Sequence, residues 1–130
     1  MDKESGMTRK MKTLCRIRDI NRAVSTFETE MIKKHHLCLN EGMLLCTLSK
    51  EEQLTSGEIA DTLGLTASNA SKVIKSVEDK ALVKRVIGDV DKRQMYFSLT
   101  SSGREALAKI DCGNIELPDL LKEIMPEAEG

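Results

Sequence analysis

The sequence predicts a mainly α-helical domain carrying a small two-stranded β wing. Three observations predict it: a long uninterrupted helical stripe in the first 36 residues, two capped helices separated by a glycine turn, and a change from helical to strand-like period after Leu82. A chain of 130 residues with 40% hydrophobic and 32% charged composition has enough apolar material for one core. The same figures exclude collagen-like, disordered and repeat-array chains. No uncharged run reaches the roughly 18 residues of a membrane helix. The first 11 residues mix both charge signs and hold no apolar stretch, so a signal peptide is not expected and a cytoplasmic protein is.

From Thr8 to His36, apolar residues recur at Met11, Leu14, Ile17, Ile20, Val24, Phe27 and Met31, in steps of three or four that place one stripe on a single helix. Neither Pro nor Gly interrupts it. At about 1.5 Å per residue such a helix is roughly 42 Å long, more than a domain this small can cover, so a second copy of the chain is expected on the remainder. Asn40 is the next expected cap, with Leu39 stapled onto Leu44, opening a helix over 41–49 that buries Met43, Leu44, Leu45 and Leu48.

Thr55-Ser56-Gly57-Glu58 is a capping box, with Leu54 able to staple onto Ile59. That helix runs to Leu63 and stops at Gly64, whose missing β-carbon permits a left-handed turn. Thr66 then caps a second helix from Ala67 to about Ala81. Two capped helices joined by a short glycine turn make a helix-turn-helix. Ala70, Val73, Ile74, Val77 and Ala81 share one face of the second helix, while Ser68, Asn69, Lys72, Lys75 and Ser76 fall largely on the other. Short polar side chains and two lysines suit entry into a major groove, where hydroxyl, amide and ammonium groups meet base edges and phosphates.

Val83 to Ile87 is β-branched-rich, 88–92 form a hairpin tip, and 93–99 alternate Gln94, Tyr96 and Ser98 against Met95, Phe97 and Leu99. Thr100 or Ser101 caps a helix through Ile110. The segment 114–125 holds one short amphipathic helix, broken at Pro118 and again at Pro126.

Charge is segregated although the net charge is only −1. Residues 1–36 carry nine Lys/Arg against five Asp/Glu, 37–65 one against five, 66–104 eight against four, and 105–130 two against seven. The basic block at 66–104 is where phosphate contacts are expected.

Helix, helix-turn-helix, ribbon and helix is the winged-helix order. Over roughly residues 12–110 the chain resembles the multiple antibiotic resistance regulator (MarR) family. The specific part is Leu54 to Gly103: the helix-turn-helix, then Asp91-Lys92-Arg93 as the Asp-x-Arg wing motif, then Leu99-Thr100 and Gly103. The resemblance implies a homodimeric regulator, a repressor in its usual form, that binds double-stranded DNA at a pseudo-palindromic operator with half-sites about 34 to 36 Å apart. Arg93 would reach the minor groove, with Asp91 orienting it. The full set expected at the duplex is Ser56, Thr66, Ser68, Asn69, Ser71, Lys72, Lys75, Ser76 and Arg93. Residues 1–36 form the expected dimerisation helix, 37–110 the DNA-binding domain, and 111–130 a short acidic segment completing the dimer. A small-molecule effector pocket is implied between the dimerisation helices and the DNA-binding lobe.

Two rival readings use other features of the chain. A winged helix can serve protein contacts alone, and Cys15, near the start of the first helix, could act as a redox sensor beside Arg16 and Arg18. The four cysteines, Cys15, Cys38, Cys46 and Cys112, are spread rather than paired, which suits reduced thiols. His35, His36 and Cys38 supply too few ligands at helical spacing for a metal site. No phosphate loop, dinucleotide fingerprint or nucleophile–base pair is present, so neither an enzyme nor a cofactor is expected.

Overall fold

The computed structural model describes residues 9–88, 93–111 and 116–125. Among these residues, six helices and one antiparallel hairpin follow in the order α1 (Arg9–His35), α2 (Leu39–Lys50), α3 (Ser56–Leu63), α4 (Ala67–Asp79), β1 (Val83–Ile87), β2 (Met95–Leu99), α5 (Ser101–Asp111) and α6 (Asp119–Ile124). The mainly α domain with a small β wing is the architecture expected. Among the described residues, no helix is long and apolar enough to cross a membrane.

The core forms where one face of each of α2, α3 and α4 meets the hairpin. Leu44, Leu45, Leu48, Ile59, Ile74, Val77, Val83, Phe97 and Leu99 are all buried in one cluster. Met31 joins them from α1, with Phe27 packed against the cluster. Only the C-terminal end of α1 is therefore embedded. Farther toward its start, Leu14 is 60% and Ile17 48% exposed. α6 lies along α1, with Leu121 buried and Arg16 3.4 Å from Glu123.

Several local expectations need correction. α2 starts at Leu39 with Cys38, not Asn40, at its cap, because the Glu41 carboxylate accepts the Cys38 N–H at 2.8 Å and Glu28 of α1 accepts the Leu39 N–H at 2.8 Å. The residue before that cap is the buried Leu37, and Leu39 lies inside the helix, half-buried against the core cluster. Met43 is exposed, since Leu44 and Leu45 take the inward positions on their turn. Pro118 does not break a helix but precedes one, in keeping with its missing N–H and fixed φ. Met95 faces outward at the wing's tip, beyond the reach of the core that buries Phe97 and Leu99.

The hairpin register pairs Val83 with Leu99, Arg85 with Phe97 and Ile87 with Met95. Leu54, just before α3, adds an antiparallel bridge to Phe97: the Phe97 N–H donates to the Leu54 carbonyl at 2.8 Å and the Leu54 N–H returns a bond at 3.2 Å. The wing is thereby tied to the entrance of the helix-turn-helix.

Candidate nucleic-acid interface

The capping box read from the sequence is present in both halves. Thr55 Oγ1 accepts the Glu58 N–H at 3.1 Å, and the Glu58 carboxylate accepts the Thr55 N–H at 2.8 Å. α3 ends on Gly64 at φ 70°, and the Leu65 N–H closes back on the Ala60 carbonyl at 2.9 Å. This left-handed turn reverses the chain within two residues and lets Thr66 cap α4, its Oγ1 accepting the Asn69 N–H at 3.1 Å. Ala60 is buried where the two helices approach.

α4 is amphipathic in the manner its spacing predicts. Ala70, Ile74 and Val77 are buried, while Ser68, Asn69, Ser71, Lys72 and Lys75 are all exposed. The outward face thus combines short polar side chains near the helix N-terminus with two lysines along its middle. Lys75 lies 3.6 Å from Asp79 one turn on, a surface pair that leaves its side chain 75% exposed. Thr66 and Ser56, both at helix starts, are exposed as well. Free backbone N–H groups and the positive dipole end favour an anion at such a helix start.

Ser76 is the member of the expected set that the fold turns elsewhere. Its hydroxyl donates to the carboxylate of Glu41 on α2 and it is half-buried, because α2 covers that side of α4. Ala81 also leaves the expected apolar face. α4 stops at Asp79, and Ala81 is exposed at φ 62° in a turn where the Leu82 N–H donates to the Val77 carbonyl and the Ala81 N–H to that of Glu78, both at 2.9 Å. Thr100 holds this turn from the far strand end, its hydroxyl donating to the Ala81 carbonyl at 2.7 Å and its N–H to that of Leu82 at 3.1 Å.

The wing is aimed by an ion pair absent from the sequence reading. Arg85 of β1 donates to both carboxylate oxygens of Glu78 on α4, at 2.8 and 3.2 Å, and its guanidinium sits 5.6 Å from the centre of the Phe97 ring. Arg93 is exposed just before β2, at the tip end of the wing. Asp91, expected to orient it, lies outside the described residues.

Glu41 was likewise missed. It is only 4% exposed and accepts hydrogen bonds from the Cys38 N–H, the Ser76 hydroxyl and, at 2.8 Å, the Lys80 ammonium. Burial opposes its ionisation, but the bonds from Lys80, Ser76 and Cys38 together outweigh that and hold the carboxyl below its ordinary value. Cys38 has the opposite fate, its thiol raised chiefly by burial. Cys15 is half-buried and Cys46 exposed.

The comparisons with known proteins agree with this geometry. Residues 39–94, spanning α2 to the wing, match the MarR family. YwaE of Bacillus subtilis (strain 168), an uncharacterized HTH-type transcriptional regulator, is 30% identical over 83 residues, which make up 64% of this chain and 48% of that protein. The chain spans less than half the length of the curated relatives it matches. Among solved structures, the transcriptional regulator BldR of Sulfolobus solfataricus superposes with a TM-score of 0.72 at 23% identity, over 99% of this chain and 88% of that one. MepR of S. aureus, crystallised in complex with DNA, gives 0.61 at 21% identity over 83% of each chain. The winged helix-turn-helix of residues 39–94 thus matches the MarR family, on a fold shared with BldR and MepR.

Proposed function

We propose that the chain is a DNA-binding transcriptional regulator, a repressor that acts as a homodimer on a pseudo-palindromic duplex. The reading rests on one observation: α4 turns Ser68, Asn69, Ser71, Lys72 and Lys75 outward together on a helix whose start is capped by Thr66. These residues enter the major groove, Thr66 and Ser56 meet phosphates at the helix starts, and Arg93 grips the adjoining minor groove. That MepR has been crystallised with DNA on the same fold supports the assignment.

The second copy covers the exposed apolar positions of α1 and its neighbour α6, where Leu14, Ile17 and Ile124 face outward. The basic 1–36 and acidic 105–130 blocks complement each other across that contact. A small-molecule effector releases the duplex. The cavity that suits one, about 350 Å³, lies between the α1–α2 turn and α5 and is lined by Lys34, His35, Leu37, Ser102, Ala106 and Lys109 among others. Among the described residues His35 Nε2 is buried with no hydrogen-bond partner.

Selection of bound duplexes from random DNA at a stated salt concentration tests the reading. A two-fold site should be recovered, with affinity falling steeply as salt rises. Lys72→Ala and Arg93→Ala should each weaken binding, and Lys72→Ala should lower the slope of log affinity against log salt by about one if the ammonium meets a phosphate. Absence of any duplex binding, with a folded protein, would instead leave a module for protein contacts.

A further inference from the structure

α4 is held to the core by Ala70, Ile74 and Val77, all buried and apolar. Apolar contact is non-directional, so by itself it tolerates small rotations and slides of a helix in its seat. What fixes rotation is a directional bond, and toward α2 the helix presents Ser76 and its C-cap Lys80, which lie four residues apart and so on one side. Both meet the carboxylate of Glu41. The same carboxylate takes the Cys38 N–H at the start of α2, while Lys80 also donates to the His36 carbonyl at 2.9 Å. His36 closes α1 at φ 59°, so the cluster joins the end of α1, the start of α2 and the C-terminal end of α4. A buried carboxylate costs free energy to desolvate, and replacing such a group by well-packed apolar residues is often neutral or stabilising.

We propose that Glu41 is a positioning residue for the recognition helix: without touching DNA, its carboxylate sets the rotation of α4 and hence the aim of the Ser68 to Lys75 face. The inference rests on the DNA-binding reading above. It carries a signature that neither simple electrostatics nor a phosphate contact would give. Removing an anion from a DNA-binding surface strengthens binding on charge grounds alone. A positioning role demands the reverse.

The test measures affinity at several salt concentrations for the parent, Glu41→Gln, Ser76→Ala and Lys80→Met, on the duplex recovered by selection and on a random duplex of equal length. Glu41→Gln should bind the selected duplex about tenfold more weakly, as expected for losing one hydrogen bond to a charged group. Its salt slope and its affinity for random duplex should stay at parental values, so that the ratio between the two duplexes narrows. Ser76→Ala, which alters no charge, should move in the same direction by about threefold and serves if Glu41→Gln does not fold. Parental or tighter binding of the selected duplex by a folded Glu41→Gln, or by Ser76→Ala, overturns the proposal. So does a lowered salt slope in Lys80→Met without a change in Glu41→Gln, because Lys80 would then be acting on phosphate. A parent that binds no duplex removes the DNA-binding reading and this inference with it, whereas a binding parent with unaffected variants removes the inference alone.

Discussion

Ala81 holds a backbone conformation that an L-residue adopts at a cost of about 1 to 2 kcal/mol, and it does so in the turn that launches the wing. The hydrogen bonds around it are those of a helix end in which glycine is the usual occupant. Ala81→Gly should therefore stabilise the protein by up to about 1 kcal/mol in urea unfolding, the relief of strain exceeding the added freedom of the unfolded chain. The opposite holds at Gly103, where a β-carbon would collide with the Leu82 carbonyl oxygen and crowd Leu99. Backbone cannot give way as a flexible side chain can. Gly103→Ala should cost about 1 to 3 kcal/mol and loosen the join of β2 to α5, seen as a lower urea midpoint.

The helix-turn-helix depends on short-range devices that can be removed one at a time. Thr55→Ala deletes the acceptor of the Glu58 N–H and should cost about 1 kcal/mol in unfolding without shifting the turn, because Gly64 and the Ala60 carbonyl close it independently. The wing is different, since its angle to α4 is set by the Glu78–Arg85 pair and by the Leu54–Phe97 bridge rather than by its own hairpin. Arg85 is largely exposed, so the pair is worth little as stability. Its value lies in direction. Glu78→Gln should leave unfolding nearly unchanged and weaken duplex binding, as measured at fixed salt.

Assembly and acid response concern the whole molecule. Leu14 and Ile17 stand out from the embedded end of α1 and suit burial by a second copy. Leu14→Asp combined with Ile17→Asp should yield a folded monomer by sedimentation, while a chain that stays monomeric without these changes would refute the proposed dimer. For acid, the sign follows from Glu41. Its carboxyl is held below the ordinary value in the fold, so its bonds contribute stability above the unfolded value of about 4.3 and lose it as pH falls through the lower folded value. The parent should lose stability below about pH 4.3 more steeply than Glu41→Gln, which is weaker at neutral pH but has no proton to take up there.

Local physics made much of this protein legible in the chain alone. Thr55 and Glu58 are three residues apart, Gly64 turns on its own backbone freedom, and the apolar side of α4 repeats at helical spacing, so each device needs only its immediate neighbours to act. The outward face at Ser68, Asn69, Ser71, Lys72 and Lys75 was legible for the same reason. Ser76 was misread because a helical wheel cannot show which neighbour covers a flank, and here α2 does. Glu41 looked like an ordinary charge in an acidic stretch, since its partners Ser76 and Lys80 lie 35 and 39 residues away. The bridge from Leu54 to Phe97 and the Glu78–Arg85 clasp also join separate elements. Hydrogen bonds act within about 3 Å, and only folding brings residues so distant in sequence within that range. The chain by itself therefore determined which elements form and which face of α4 is polar, while the tertiary structure alone decided how that face and the wing are aimed.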